Sequence, residues 1–320
     1  MNDRTTSSRL GYLDLGLLVY LGAVWGAAFL FFRVAAPEVG PVWTAEVRIA
    51  LAGTALALVV GPRRLWALRH RIRQLGVVGI TFSALPFSLL AFAALTLPAA
   101  LESLLMATTP LLTALVSTVW MRQRLSRSSI VGLAVGFTAV VVLLGGSTAA
   151  IGPETAVAFL AGLGAALSYA VAGTYVRRST NGFEPLDLAA GQLLAGAAVL
   201  LPIAILSGPP RLPALDGAAS LGLMALVSTA IAWPVFFRIS QRTNATTAST
   251  VTFIVPMFGM LWGGLVLGEP IGPQLLVGFG LVLVSLVLVL QFPLGRLRET
   301  AGALGNRLTW RRHLRPTPTS

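Results

Sequence analysis

Leu97-Pro98-Ala99-Ala100, Thr108-Thr109-Pro110, Trp120-Met121-Arg122-Gln123-Arg124-Leu125 and Val131-Gly132 punctuate residues 98–146, and the same succession returns across residues 244–292. An offset of 146 carries Pro110 to Pro256, Gln123 to Glu269, Leu125 to Ile271 and Gly132 to Gly278. Upstream, an offset of 144 carries Arg33 to Arg177, Pro41 to Pro185 and Arg48 to Gln192. The chain therefore reads as one unit of about 145 residues present twice. If each unit holds an odd number of membrane spans, the second lies upside down relative to the first, which is an architecture of transporters.

The composition around this repeat belongs in a bilayer. Apolar residues make up 56% of the chain and charged residues 11%, where a soluble domain carries roughly 25% charged residues. The mean hydropathy is +0.83. A span needs about 20 mostly apolar residues. Ten segments qualify, at approximately 15–35, 41–61, 74–95, 98–121, 129–146, 156–176, 184–206, 217–238, 244–267 and 272–291. The joins at Thr96-Leu97 and Gln241–Thr243 are so short that the repeat, rather than hydropathy, separates their neighbours. Five spans precede Gly152-Pro153 and five follow. The expected fold is an all-α integral membrane protein of ten transmembrane helices in two inverted five-helix repeats. Its parts are a segment 1–14, a first repeat 15–147, a second repeat 153–292 and a basic tail 293–320.

The formal net charge is +12, and all 23 basic residues are arginine. The pI near 11.6 suggests nucleic acid only until the arginines are located. Twenty of the 23 fall on one side if the N-terminus is cytoplasmic, from Arg4 and Arg9 through Arg63–Arg73, Arg122–Arg127, Arg177–Arg178 and Arg238–Arg242 to the tail. Arg33 and Arg211 fall outside, and Arg48 lies within a span. This is the positive-inside pattern; it puts both termini in the cytoplasm and excludes nucleic acid as a partner. The tail reads as an anchor on anionic headgroups, or alternatively as a regulatory or partner-binding segment. The N-terminus shows no cleavable signal sequence.

Several chemistries are excluded. The chain has no cysteine, hence no disulfide or thiolate. His70 and His313 lie in cytoplasmic segments and form no His-Glu-x-x-His. Gly145-Gly146-Ser147 has no membrane-embedded histidine beside it, no aspartate lies deep in a span, and without lysine there is no nucleotide-binding P-loop. No catalytic residue, metal or cofactor is expected.

Ionisable residues inside the membrane are costly and point to function. Glu46, Arg48 and Glu102 are the three. Glu46 and Arg48 are two apart on a helix and cannot face the same way. An Arg48–Glu102 pair would neutralise two charges, either as a structural pair or beside a substrate path. Pro110 and Pro256 are expected hinges, matched prolines that each remove a helical hydrogen bond. Ser103, Thr108 and Thr109 can satisfy freed carbonyls or touch substrate. Trp25 and Tyr169 are repeat equivalents near mid-span, away from the interfaces where aromatic residues collect. The expected substrate path thus comprises Trp25, Arg48, Glu102, Thr108, Thr109, Tyr169, Gln192, Trp233 and Trp262. Gly22/Gly26, Gly132/Gly136, Gly259/Gly263 and Gly264/Gly268 have the four-residue spacing that lets helices approach closely.

Trp25-Gly26, Arg48, the run from Pro110 to Arg124-Leu125, and Pro256, Gly268-Glu269 and Gly278 resemble the EamA-type unit of the drug/metabolite transporter superfamily. The resemblance covers roughly residues 12–291. It implies a ten-span secondary transporter with a central cavity between its repeats, exporting amino acids, other metabolites or drugs. Gln123 stands where many members carry glutamate, whereas Glu269 keeps it in the second copy. Thr109 stands where some exporters carry an acid. The resemblance adds weight to a structural Arg48.

The expected activity is export of a small metabolite, amino-acid-like, or a drug across the cytoplasmic membrane by alternating access, not an enzymatic reaction. Its partners are a small-molecule substrate and the lipid bilayer, with Glu102 as the proton carrier if transport is proton-coupled, as a monomer or homodimer. The alternatives are a non-transporting sensor or scaffold and a membrane-embedded lipid-modifying enzyme.

Overall fold

The computed structural model describes residues 12–120, 122, 125–145, 152–180, 182–242 and 251–290. Gln123, Arg124, most of the expected N-terminal segment and the basic tail lie outside the described residues. The first half contains α1 (Tyr12–Val39), α2 (Pro41–Val60), α3 (Pro62–Ala93), α4 (Ala99–Trp120) and α5 (Arg127–Gly145). The second contains α6 (Pro153–Ser179), α7 (Pro185–Leu206), α8 (Leu215–Ile239), α9 (Val251–Leu267) and α10 (Pro273–Leu290). Among the described residues, seven helices (α1–α4 and α6–α8) are long and apolar enough to cross a membrane, and α5, α9 and α10 are shorter apolar helices.

Glycine and proline set the boundaries. Gly40 (φ 93°) and Gly61 (φ 82°) adopt backbone angles that suit glycine, and Pro41 and Pro62 then open the next helix with a preset φ. The third helix starts earlier than the expected span 74–95. Pro62–Ala67 and a tight turn over Leu68–Arg71 prefix it with an arginine-rich collar, tied to α7 by a 2.9 Å ion pair from Arg64 to Asp187. Leu58, Leu160 and Leu206 are exposed on the outside of the bundle, as expected of a lipid-facing surface.

Packing is dominated by contacts between the halves. α2 lies along α7, α5 along α10, α1 along α9 and α8, and α6 along α3 and α4. Small residues permit these approaches. A methyl group added at Gly22 would meet Ile254, and one at Gly26 would meet Phe258, on the α1–α9 contact. At Gly259 it would strike Ser103 of α4, and at Gly132 it would strike α10. Three of the four glycine spacings therefore sit at real helix contacts; Gly264 and Gly268 face no partner helix.

α4 is interrupted. It runs as Ala99–Met106 and Thr109–Trp120, with a turn between, just before Pro110. Proline at position 110 cannot donate to the Met106 carbonyl; the Thr109 hydroxyl donates to it instead at 2.7 Å. Thr108 likewise donates to Leu105 and Ser103 to Ala100. Pro256, its counterpart, lies buried within the unbroken helix α9.

Candidate functional site

The site is built on two irregularities. α3 widens into a π turn at Ile80–Ala84, and α8 does so at Leu226–Ile231. The offset of 146 relates their starts. Such turns are rare and cluster at functional sites, because the extra residue frees backbone groups and redirects side chains. In α8 the Thr229 hydroxyl reaches back five residues and donates to the Met224 carbonyl at 2.8 Å.

Each π turn is gripped by the opposite half. Arg48 on α2 donates from Nε to Thr229 Oγ1 at 2.8 Å. In the equivalent place Ser83 donates to Gln192 Oε1 on α7, also at 2.8 Å. The Trp25 indole donates to the Ser228 carbonyl at 3.1 Å, while Ser228 donates to Val24 at 2.7 Å. On the other side Ser168 donates to the Thr81 carbonyl at 2.8 Å, next to Tyr169.

Between these grips lies a cavity of about 550 Å³ lined by α1, α2, α3, α4, α6, α8 and α9. Its wall is largely aromatic. Trp233 lies 5.4 Å from Trp25 and 4.7 Å from Phe82, and Phe82 lies 5.4 Å from Tyr169. The Arg48 guanidinium sits 3.7 Å from the Phe87 ring centroid and 4.9 Å from that of Phe32. Only 3% of Arg48 is exposed. At another part of the lining is Arg177, exposed and donating to Ser117 at 3.2 Å. Among the described lining residues none is acidic. The arrangement can hold a small, mostly apolar molecule and offer it few, fixed polar contacts.

Of the residues expected on the path, Trp25, Arg48, Thr109, Tyr169 and Trp233 line the cavity, and so does Pro110. Glu102, Thr108, Gln192 and Trp262 are not among its lining residues. Glu102 is fully buried, and neither of its oxygens has a hydrogen-bond partner. It makes no ion pair with Arg48: that guanidinium is held by Thr229 and the phenyl rings instead. Thr108 is spent on the broken helix. Gln192 is sealed against Ser83. Trp262 donates to the Ala23 carbonyl at 3.1 Å and stacks on Phe258, joining α9 to α1. Glu46 is buried off the cavity, on another face of α2 from Arg48.

Sequence reasoning missed Thr229 and the phenylalanines Phe32, Phe82 and Phe87. A signal existed for Thr229. Thr229 and Ser83 share a repeat position, and both are polar in otherwise apolar runs.

A second cross-half contact closes the far end of α4. Glu269, at the end of α9, accepts from the Ala99 amide at 2.9 Å and the Ala100 amide at 3.3 Å. A carboxylate there satisfies free N–H groups at a helix start and complements its dipole. Nearby, Arg33 donates to the Ala94 and Leu95 carbonyls at 2.7 and 2.9 Å.

The model of the EamA-like transporter family matches residues 15–145 and again residues 156–291. Among curated relatives, an "Uncharacterized transporter" of Archaeoglobus fulgidus is 23% identical over 83% of this chain and 95% of its own length. A "Probable terminal-alkyne amino-acid exporter" of Streptantibioticus cattleyicolor is 27% identical over 89% of this chain and 95% of its own. One solved crystal structure shares the fold with a TM-score of 0.62 at 20% identity, covering 90% of this chain and 99% of that one.

Proposed function

The chain belongs to the EamA-like transporter family, and on that premise we propose that it is a secondary transporter exporting a small metabolite or drug across the cytoplasmic membrane by alternating access. The observation that carries this reading is the aromatic cavity shared by the two halves at their matched π turns. A sensor or scaffold needs no such cavity.

In this reading the seven long and three shorter apolar helices are ten spans, and the halves 15–147 and 153–292 are inverted repeats. The arginine distribution orients both termini to the cytoplasm. The exposed Arg177 at the cavity then faces the cytoplasm, which supports reading this conformation as inward-open. The opposite side is held shut by Glu269 on the Ala99 and Ala100 amides and by Arg33 on Ala94 and Leu95. Pro110 and Pro256 serve as the hinges. Glu102, buried and unpartnered, is the proton-carrying group if a proton drives export.

The amino-acid exporter among the relatives supports amino-acid-like cargo as a first panel. The test is uptake into inside-out vesicles across a metabolite and drug panel, with and without a proton gradient. Saturable uptake of at least one compound is expected, and Glu102→Gln should abolish its response to the gradient while leaving exchange intact. Wild-type gradient response in Glu102→Gln would remove the coupling role. No uptake of any compound would count against transport.

A further inference from the structure

We infer that the cavity selects small amphipathic carboxylates, with Arg48 as the group that reads the acid; this deepens the transporter reading and rests on it. The argument starts from hydrogen-bond arithmetic. A guanidinium has five N–H donors and no acceptor. Arg48 uses Nε on Thr229, and among the described residues no other hydrogen bond or ion pair ties it. The four N–H groups on its two terminal nitrogens are therefore uncommitted in a residue that lines the cavity and is 3% exposed. The Phe87 and Phe32 ring centroids lie 3.7 and 4.9 Å from its central carbon. Phenyl rings hold the cation without supplying an oxygen acceptor, so the two terminal nitrogens keep the edge that matches a carboxylate with two parallel hydrogen bonds.

The charge balance fixes the class further. No aspartate or glutamate lines the cavity among the described residues, so no carboxylate of the protein shares the chamber with Arg48; Glu102, buried nearby, is outside the lining and makes no ion pair with it. The second cation of the lining, Arg177, is exposed to solvent, which screens it, and is tied to Ser117, so the one buried cation, Arg48, matches one negative charge. A phosphate monoester carries roughly one and a half to two negative charges at neutral pH and would leave an excess in an apolar chamber. A substrate whose only charge is an ammonium would meet a like charge and no acid. The rest of the wall, Trp25, Phe82, Tyr169 and Trp233, suits an aromatic or aliphatic body.

Rigidity separates this from a merely structural arginine. Thr229 is fixed by its own bond to Met224 in the π turn, so the guanidinium is aimed before any ligand arrives. The other half also shows what the fold needs at this place. Gln192 makes the equivalent bond to Ser83 without a charge. A cation is thus unnecessary for holding a π turn to the opposite half.

The test is equilibrium binding of radiolabelled 3-phenylpropionate to the full-length protein in phosphatidylcholine nanodiscs, which carry no carboxylate lipid. Unlabelled 3-phenylpropionate, 3-phenylpropionamide and 2-phenylethylamine then compete. A charge-assisted contact predicts that the acid competes roughly 10- to 100-fold better than the amide, with the amine weakest. Arg48→Gln, a residue the other half accepts here, should erase the preference for the acid over the amide. Arg48→Lys should recover part of the preference. Equal competition by acid and amide in the wild type overturns the inference even if the variants fail to fold. So does the absence of 3-phenylpropionate binding at millimolar concentration, or an Arg48→Gln variant that keeps the preference. Flux of 3-phenylpropionate in proteoliposomes reads the premise separately. Acid-selective binding without flux refutes transport but leaves recognition standing, whereas flux of panel compounds without acid preference does the reverse.

Discussion

Arg48 and Gln192 hold the same place in the two halves and do different work. Each lies on the second helix of its half and each meets the π turn of the other, Arg48 at Thr229 and Gln192 at Ser83. The bond is the same length in both. The surroundings differ: Arg48 borders the cavity between two phenyl rings, while Gln192 is fully buried and leaves its Nε2 without a partner. The shared part of the comparison is scaffold. The unshared part, a charge beside an open chamber, is where a substrate can be told from its analogues.

The largest effect should come from moving that charge to the other half. Gln192→Arg would bury a cation with no acid and no cavity beside it, at about 3–5 kcal/mol. Thermal unfolding in detergent should show a large loss of stability and yield, while Arg48→Gln stays near the wild type. Equal losses in both variants would break the comparison and make Arg48 a structural residue like its counterpart.

Next come the close contacts between the halves. Gly259→Ala pushes a methyl group into Ser103 across the α9–α4 contact, and overpacking of this kind costs about 1–3 kcal/mol. Gly76→Ala has nothing within 4 Å to meet and should stabilise α3 by up to about 1 kcal/mol through helix propensity. Melting curves of the two variants should move in opposite directions. A shared direction would mean that the close approach of α9 to α4 carries no strain-sensitive packing.

The prolines sharpen the comparison at lower amplitude. Pro110 follows a broken turn and lines the cavity, whereas Pro256 lies in a continuous helix. Pro110→Ala should therefore slow transport several-fold with little change in binding, and Pro256→Ala should slow it less. Unchanged rates in both would leave the prolines as packing features.

Much of the scaffold was legible because membrane physics writes it plainly. Apolar runs of span length follow from the thickness of the bilayer core, and the duplicated landmark series from one unit present twice. Arg48, Trp25, Tyr169 and Trp233 were legible for a related reason: a charge or a polar-tipped aromatic ring at mid-span needs an explanation. The π turns were not legible. Ile80–Ala84 and Leu226–Ile231 read as ordinary apolar helix, because widening a turn changes hydrogen-bond register and leaves composition alone. Without those turns Arg48 had no visible partner, and pairing it with Glu102 was the simplest way to neutralise two charges. The structure gives it a hydroxyl and two phenyl rings instead. Thr108 and Thr109 show the limit most closely. They are neighbours with the same chemistry, and only the break in α4 gives one the cavity and the other the helix interior.

The inversion of the two halves is the claim on which alternating access depends, and single cysteines in this cysteine-free chain test it most directly. Ser7→Cys, Gly152→Cys and Thr319→Cys can be exposed to a membrane-impermeant maleimide in intact cells, then again after permeabilisation. The account predicts labelling of Gly152→Cys alone in intact cells and of all three afterwards. Labelling of Ser7→Cys or Thr319→Cys from outside, or of none until the membrane is opened, would contradict it.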